Sequence, residues 1–325
     1  MKKRITFILV LLLLMVGCAQ VELPAEQEDV KVIGVLLLVT HPALDATIEG
    51  LVSEVEAMGH KGAFELVIKN ANGDAATADL IAKQFVSDQV DMIYAIATKS
   101  VQAAFNATQG TDIPVVFNAV TNPVAAGVVA SNEAPGGNVT GVSDAAPLEL
   151  QLQLIRDLMP EAKKIGMLYN LGEINGLLQV EQVKALAPQF GLEVVATGVT
   201  NAAEMASAAQ QIAGEVDAFY NITDNLVASN LAIITDKAQQ AGIPVFAAEE
   251  GGMDQGLFAV EGLSYLKLGN QAAGLVAKIL FEGVAPRDLK VSTAIETSLI
   301  INQTIANTLN ITIPDALKAR ATLIN

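Results

Sequence analysis

The sequence predicts an α/β protein of two similar doubly wound parallel-sheet lobes joined by a multi-crossover hinge. Three observations carry this. Apolar runs of strand length, such as Lys31 to Val39, show no alternation and fit strands buried on both faces of a parallel sheet. Such runs lead directly into stretches of helical periodicity, the βα order of open parallel sheets. The series also occurs twice. Ile33-Gly34 returns as Ile165-Gly166, Val90-Asp91-Met92-Ile93-Tyr94 as Val216-Asp217-Ala218-Phe219-Tyr220, and Ile113-Pro114-Val115 as Ile243-Pro244-Val245, at offsets of 126 to 132 residues.

In the first lobe, His41-Pro42 opens a helix, because proline suits the first helical turn. Leu44, Ile48, Leu51, Val52 and Val55 then fall at helical spacing, ending near Gly59. Phe64 to Lys69 reads as the second strand and Thr77 to Ser87 as its helix. Val90 to Ile96 is the third strand, Val101 to Thr108 its helix, and Ile113 to Asn118 the fourth strand. The turn-rich segment Pro135 to Asp144 reads as the first crossover, before a helix from Leu148 to Leu158. The second series starts at Lys163 and runs to Glu250. A strand at Leu257 to Val260, a helix from Tyr265 to Phe281 and a tail strand at Ser298 to Asn302 follow, so a single hinge point does not fit. The expected divisions are 31–143 for the first lobe and 144–250 for the second, each open to completion by parts of 251–325.

Upstream, Lys2-Lys3-Arg4 precede an apolar run from Ile5 to Val16 that ends in Gly17-Cys18, the layout of a secretory signal. The run is short for a membrane span. The ending Met15-Val16-Gly17-Cys18, which holds the only cysteine, resembles the lipobox of bacterial lipoproteins, and the resemblance implies a signal of residues 1–17 and lipid attachment at Cys18, before a polar tether over 18–30. The formal charge of −16 comes with no basic cluster beyond the leader, which removes the electrostatic footprint of nucleic-acid binding.

Open parallel sheets bind ligands beyond the carboxyl ends of their strands, where helix N-termini offer free N–H groups to anions. That rule nominates His41, Thr98, Ser100, Asn118 and Thr121 in the first lobe. In the second it nominates Asn170, Glu173, Asn175, Asp224, Asn225, Glu249 and Glu250. In the repeat, Thr98 aligns with Asp224, a hydroxyl against a carboxylate, which suits the two ends of a zwitterion. Both residues are also good helix N-caps in their own right. Two histidines, no HExxH, no G-x-S-x-G, no Walker lysine and no G-x-G-x-x-G leave catalysis, metal and cofactor binding without a motif.

The ordered set His41-Pro42-Ala43-Leu44-Asp45, Ala97-Thr98 with Gln102, Asn118-Ala119-Val120-Thr121-Asn122-Pro123, Pro135-Gly136-Gly137-Asn138-Val139-Thr140-Gly141-Val142-Ser143-Asp144, Tyr169-Asn170 with Gly172-Glu173 and Asn175, Thr223-Asp224-Asn225 and Glu249-Glu250-Gly251 carries a family resemblance. Over nearly the whole chain it resembles the ABC-transporter substrate-binding lipoproteins of the tryptophan/tyrosine-type amino-acid uptake family. The resemblance implies a type I-like periplasmic-binding-protein fold that closes on its ligand by hinge motion. It also implies a non-enzymatic, monomeric extracytoplasmic receptor that uses no cofactor, binds an aromatic or hydrophobic amino acid and delivers it to a membrane permease. Thr98, Ser100 and Gln102 would hold the α-carboxylate, and Asp224 with Asn225 or Glu250 the α-ammonium. His41, Asn170 and Glu173 would line the side-chain space. Thr40, Lys99 and Ile222 depart from the family pattern, which bears on the ligand's side chain. A nucleoside or sugar receptor on the same fold, and an exported hydrolase with a carboxylate pair, are the alternatives.

Overall fold

The computed structural model describes residues 30–293 and 296–325. The expected leader, Cys18 and most of the tether lie outside the described residues. The first lobe holds β1 (Lys31–Leu37), α1 (Pro42–Val55), β2 (Phe64–Asn70), α2 (Ala75–Ser87), β3 (Met92–Ile96), α3 (Thr98–Ala107), β4 (Val115–Asn118) and β5 (Val139–Ser143). The second holds α4 (Leu148–Leu158), β6 (Lys164–Asn170), α5 (Ile174–Leu186), β7 (Glu193–Val199), α6 (Ala202–Ala213), β8 (Ala218–Asn221), α7 (Asn225–Ser229), α8 (Leu231–Ala241), β9 (Val245–Glu249) and β10 (Ala259–Leu263). The chain then returns with α9 (Tyr265–Leu280) and β11 (Ser292–Thr293), and crosses again to β12 (Thr297–Asn302) and β13 (Thr322–Ile324).

The first sheet runs β11-β5-β4-β3-β1-β2 and every pairing in it is parallel. The second runs β13-β12-β10-β9-β8-β6-β7, with β12 antiparallel to β10. Each sheet places its first strand beside its third, so the strand order reverses there and opens a crevice at the carboxyl edge. The segment expected to be a crossover, Pro135 to Asp144, is corrected in part. Val139–Ser143 is a fully buried strand of the first sheet, and the chain crosses just after it. Gly141 permits this, since a Cβ there would lie 2.2 Å from the Phe117 carbonyl oxygen on β4.

The duplicated stretches build matching supports. Asp91 accepts the Val32 N–H at 2.8 Å, and Asp217 accepts the Lys164 N–H at 2.9 Å, each tying its strand to the first strand of its lobe. Tyr94 and Tyr220 are fully buried beneath the two carboxyl edges. Helix α9 joins the core of the first lobe through Leu268, Ala272, Ala273 and Val276. It lies backbone to backbone on α1, because a Cβ on Gly50 would meet the Leu266 carbonyl oxygen at 2.1 Å.

Candidate functional site

The carboxyl edge of the first sheet presents His41, Thr98, Ser100 and Thr121 at the ends of β1, β3 and β4. His41 precedes α1 with extended backbone and caps nothing. Its ring is 5% exposed and neither nitrogen has a hydrogen-bond partner. Burial holds its pKa below the usual imidazole value, although Asn225 and the Asp45, Glu173 and Asp144 carboxylates pull the other way. Ala97, between β3 and α3, sits at φ 77°, ψ 162°, a region that essentially only glycine adopts without strain. This turn sets the N-terminus of α3 at the edge, where Thr98 and Ser100 are buried and the Ser100 hydroxyl has no partner. Two nominated side chains are committed elsewhere. Gln102 donates to the Ala126 carbonyl at 3.0 Å, and Asn118 donates to the Tyr94 hydroxyl at 2.7 Å while accepting the Ala119 N–H. Asn118, fully buried, therefore braces the core beneath the edge.

In the second lobe, Asp224 is 1% exposed. Its Oδ1 accepts the Val227 N–H at 3.1 Å as the N-cap of α7, and its Oδ2 accepts the Asn170 N–H at 2.7 Å. Glu173 is held by three amides. Asn170 donates at 3.0 Å to one oxygen, and Asn175 at 3.3 Å and Asn225 at 2.6 Å donate to the other. Burial and the neighbouring Glu173 charge push the Asp224 carboxyl up to about 7. His41 of the first lobe lies against this network through Asn225 and within electrostatic reach of Glu173. Asn175 keeps its buried carbonyl oxygen unpartnered.

A third group sits where the chain crosses between lobes. The Tyr265 hydroxyl, at the start of α9, donates to Asp144 Oδ2 at 2.8 Å, just after β5. Asp144 Oδ1 is buried without a partner. Glu249, at the end of β9, lies beside the same hydroxyl. Burial first, then the nearby Asp144 charge, pushes Glu249 up to about 7; burial also raises Asp144. Glu250 points instead toward β12, where it accepts from Ser298 at 3.1 Å. Asp144 and Tyr265 were not nominated from the sequence. Had Val139–Ser143 been read as a strand, the strand-end rule that found Thr98 would also have found Asp144.

Two of the places where the lobes come close are at glycines. A Cβ on Gly251 would lie 2.8 Å from the Ala43 backbone nitrogen, and one on Gly172 would lie 3.5 Å from Lys99 Nζ. Beside the first contact a pocket is lined by His41, Asn221, Ile222, Val227, Leu231, Glu249 and Leu257, among others. Both side-chain amide atoms of Asn221 are buried there without partners. Among the described residues, no group of three His, Cys, Asp or Glu is arranged to hold a metal ion.

The family model for ABC transporter substrate binding proteins matches residues 32–324. The chain belongs to this family. These substrate-binding proteins include the tyrosine-binding protein of Clostridioides difficile strain R20291, 42% identical over 84% of this chain and 79% of the relative. A Streptococcus pneumoniae domain solved in complex with L-Trp is 33% identical, covers 91% of this chain and 99% of that chain, and superposes with a TM-score of 0.87. The ligand-free, open structure of a Clostridium difficile substrate-binding protein with adhesive properties is 40% identical, covers 91% of this chain and 99% of that chain, yet scores only 0.70. A poorer match at higher identity points to the angle between lobes. In the present arrangement the two lobes touch at Gly251 and Ala43.

Proposed function

We propose that this substrate-binding protein is a lipid-anchored extracytoplasmic receptor that takes a small zwitterion, an aromatic or other hydrophobic amino acid, and passes it to an ABC permease. The observation that carries the reading is the set of buried polar atoms without protein partners where the lobes face each other: the His41 nitrogens, the Ser100 hydroxyl, Asp144 Oδ1 and the Asn175 carbonyl. Buried polar atoms are nearly always paired, so such a set marks a place for a polar ligand. Thr98 and Ser100, with the free N–H groups of α3, suit the carboxylate. Ile222, Val227, Leu231 and Leu257 line a small apolar pocket beside His41 and Glu249. The relatives that are named for tyrosine or hold L-Trp support the same ligand class.

The receptor binds and releases without chemistry and works as a monomer. Its first lobe is formed by 31–143 with 265–293, its second by 148–263 with 297–325, and a signal of residues 1–17 leaves Cys18 as the lipid-bearing N-terminus. The test is to unfold and refold the domain to strip bound ligand, then follow melting against amino acids, nucleosides and sugars. A ligand at one hundred times its Kd adds about 2.7 kcal/mol. A shift with a nucleoside or sugar and none with any amino acid overturns the reading, as does turnover of an ester or glycoside. Loss of membrane association on Cys18→Ser is expected, and an unchanged distribution overturns the anchor.

A further inference from the structure

We infer that the ammonium of the bound amino acid is held at the hinge, by Asp144 and Glu249 with Tyr265 positioning them. The inference rests on the amino-acid reading above and assigns one end of the ligand within it. A carboxylate that receives an ammonium needs lone pairs the protein has left unused. Asp224 already accepts the Val227 N–H on one oxygen and the Asn170 N–H on the other, which makes it the cap of α7 and the anchor of β6. Glu173 is surrounded by amide donors from Asn170, Asn175 and Asn225. These two acids organise the second lobe with donors the protein itself supplies.

Asp144 is different. One oxygen takes the Tyr265 hydroxyl, and the other, on a residue 1% exposed, has no partner of good hydrogen-bond geometry, with the Thr121 side chain close by. Glu249 stands beside the same hydroxyl from the opposite lobe. Among the described residues, no lysine or arginine is buried. His41, the nearest basic group, is itself held toward its neutral form. Asp144 is buried and Glu249 half-buried, and two neighbouring carboxyls without a protein cation are relieved by a shared proton or a bound cation. Asp144 also lies at the edge that receives the carboxylate. It follows β5, Thr98 follows β3, and only β4 separates them. Two inter-strand spacings come to about 10 Å, which the adjacent charged groups of an α-amino acid bridge with a hydrogen bond and a short side chain at each end. Because Asp144 and Tyr265 stand at two crossovers and Glu249 comes from the second lobe, the ammonium would draw the lobes together as it binds.

The experiment measures binding of L-tryptophan and L-tyrosine, and of their des-amino counterparts indole-3-propionate and 3-(4-hydroxyphenyl)propionate, to refolded protein. The proteins compared are the unaltered chain and the Asp144→Asn, Glu249→Gln, Tyr265→Phe and Asp224→Asn variants, each with its ligand-free Tm recorded. Asp144→Asn and Glu249→Gln are expected to weaken the amino acids by about tenfold or more, the loss of one charge-assisted hydrogen bond, and to leave the des-amino compounds nearly unaffected. Tyr265→Phe should show the same selectivity at smaller size. Asp224→Asn should lower the ligand-free Tm and weaken both ligand classes equally. Equal losses for both classes in Asp144→Asn and Glu249→Gln, or selectivity confined to Asp224→Asn, overturn the assignment while the amino-acid reading stands. If neither amino acid binds the unaltered chain, the reading itself fails and the assignment with it.

Discussion

The two copies of the strand-to-helix unit, β3 into α3 and β8 into α7, share a scaffold and differ at the turn. Below the turn they match: a fully buried tyrosine in each, and an aspartate whose carboxylate fixes the first strand of its lobe. At the turn they part. In the first lobe, Ala97 holds a strained backbone, the helix has no side-chain cap, and the Ser100 hydroxyl is unpartnered. In the second, Asp224 caps its helix and ties down Asn170, leaving neither oxygen free of the protein. The repeat thus supplied two matching supports, one turn with an uncapped helix and an unpartnered hydroxyl and the other bonded to its own lobe.

The largest test of that contrast is to remove the closed turn. Asp224→Ala should cost about 3 kcal/mol of stability, since it deletes a cap and strands two backbone donors. Denaturant unfolding will read this, and a loss under 1 kcal/mol, or one matched by Ser100→Ala, would erase the distinction. Next in size is the lobe contact. Gly251→Ala puts a methyl 2.8 Å from the Ala43 backbone nitrogen, which only a more open angle relieves. Affinity should fall about tenfold while the ligand-free Tm stays put. Calorimetry showing unchanged affinity would mean that this contact does not close the cleft.

A smaller effect concerns protons. Facing Glu249 are Asp144, Tyr265 and, farther off, His41. The raised values of Glu249 and Asp144 mean that the ligand-free closed form is favoured at low pH. That contribution fades as pH rises through about 7. An ammonium takes the place of the proton, so amino-acid affinity should climb between pH 5.5 and 7.5 and binding should release protons. Calorimetry in buffers of different ionisation enthalpy detects this, and proton uptake would contradict it. The smallest expected change is Ala97→Gly, which relieves a backbone strain of about 1 kcal/mol and should raise the melting temperature slightly. A lower melting temperature would show that Ala97 is not strained in solution.

Much of this was legible in the sequence because strands buried on both faces write themselves as unbroken apolar runs. The offset between Ile33 and Ile165, or Tyr94 and Tyr220, states the duplication outright. The strand-end rule also named His41, Thr98, Asn170, Asp224 and Glu249, which stand at the carboxyl ends of β1, β3, β6, β8 and β9. It failed where a side chain has two possible employers. Asn118 and Gln102 read as cleft residues because nothing local reveals that Tyr94 and Ala126 claim them. Asp144 was hidden because Val139–Ser143 is short, contains Gly141 and follows a turn-rich run, so it read as a crossover. Tyr265 was hidden because its partner lies 121 residues away.

The contact of α9 with α1 has a consequence for how the molecule comes to exist. Helix α1 ends at Val55, yet the surface that covers it begins at Tyr265, and β5 gains its outer neighbour only at Ser292. The second sheet waits in the same way for Thr297 to Ile324. A chain emerging from its N-terminus therefore cannot finish either lobe until almost all of it is available, and long-range closure of this kind is slow and exposes apolar strands meanwhile. The halves of the cleft mature together, late, so a chain cut short before about residue 290 should yield no partly competent receptor, only unfinished sheets.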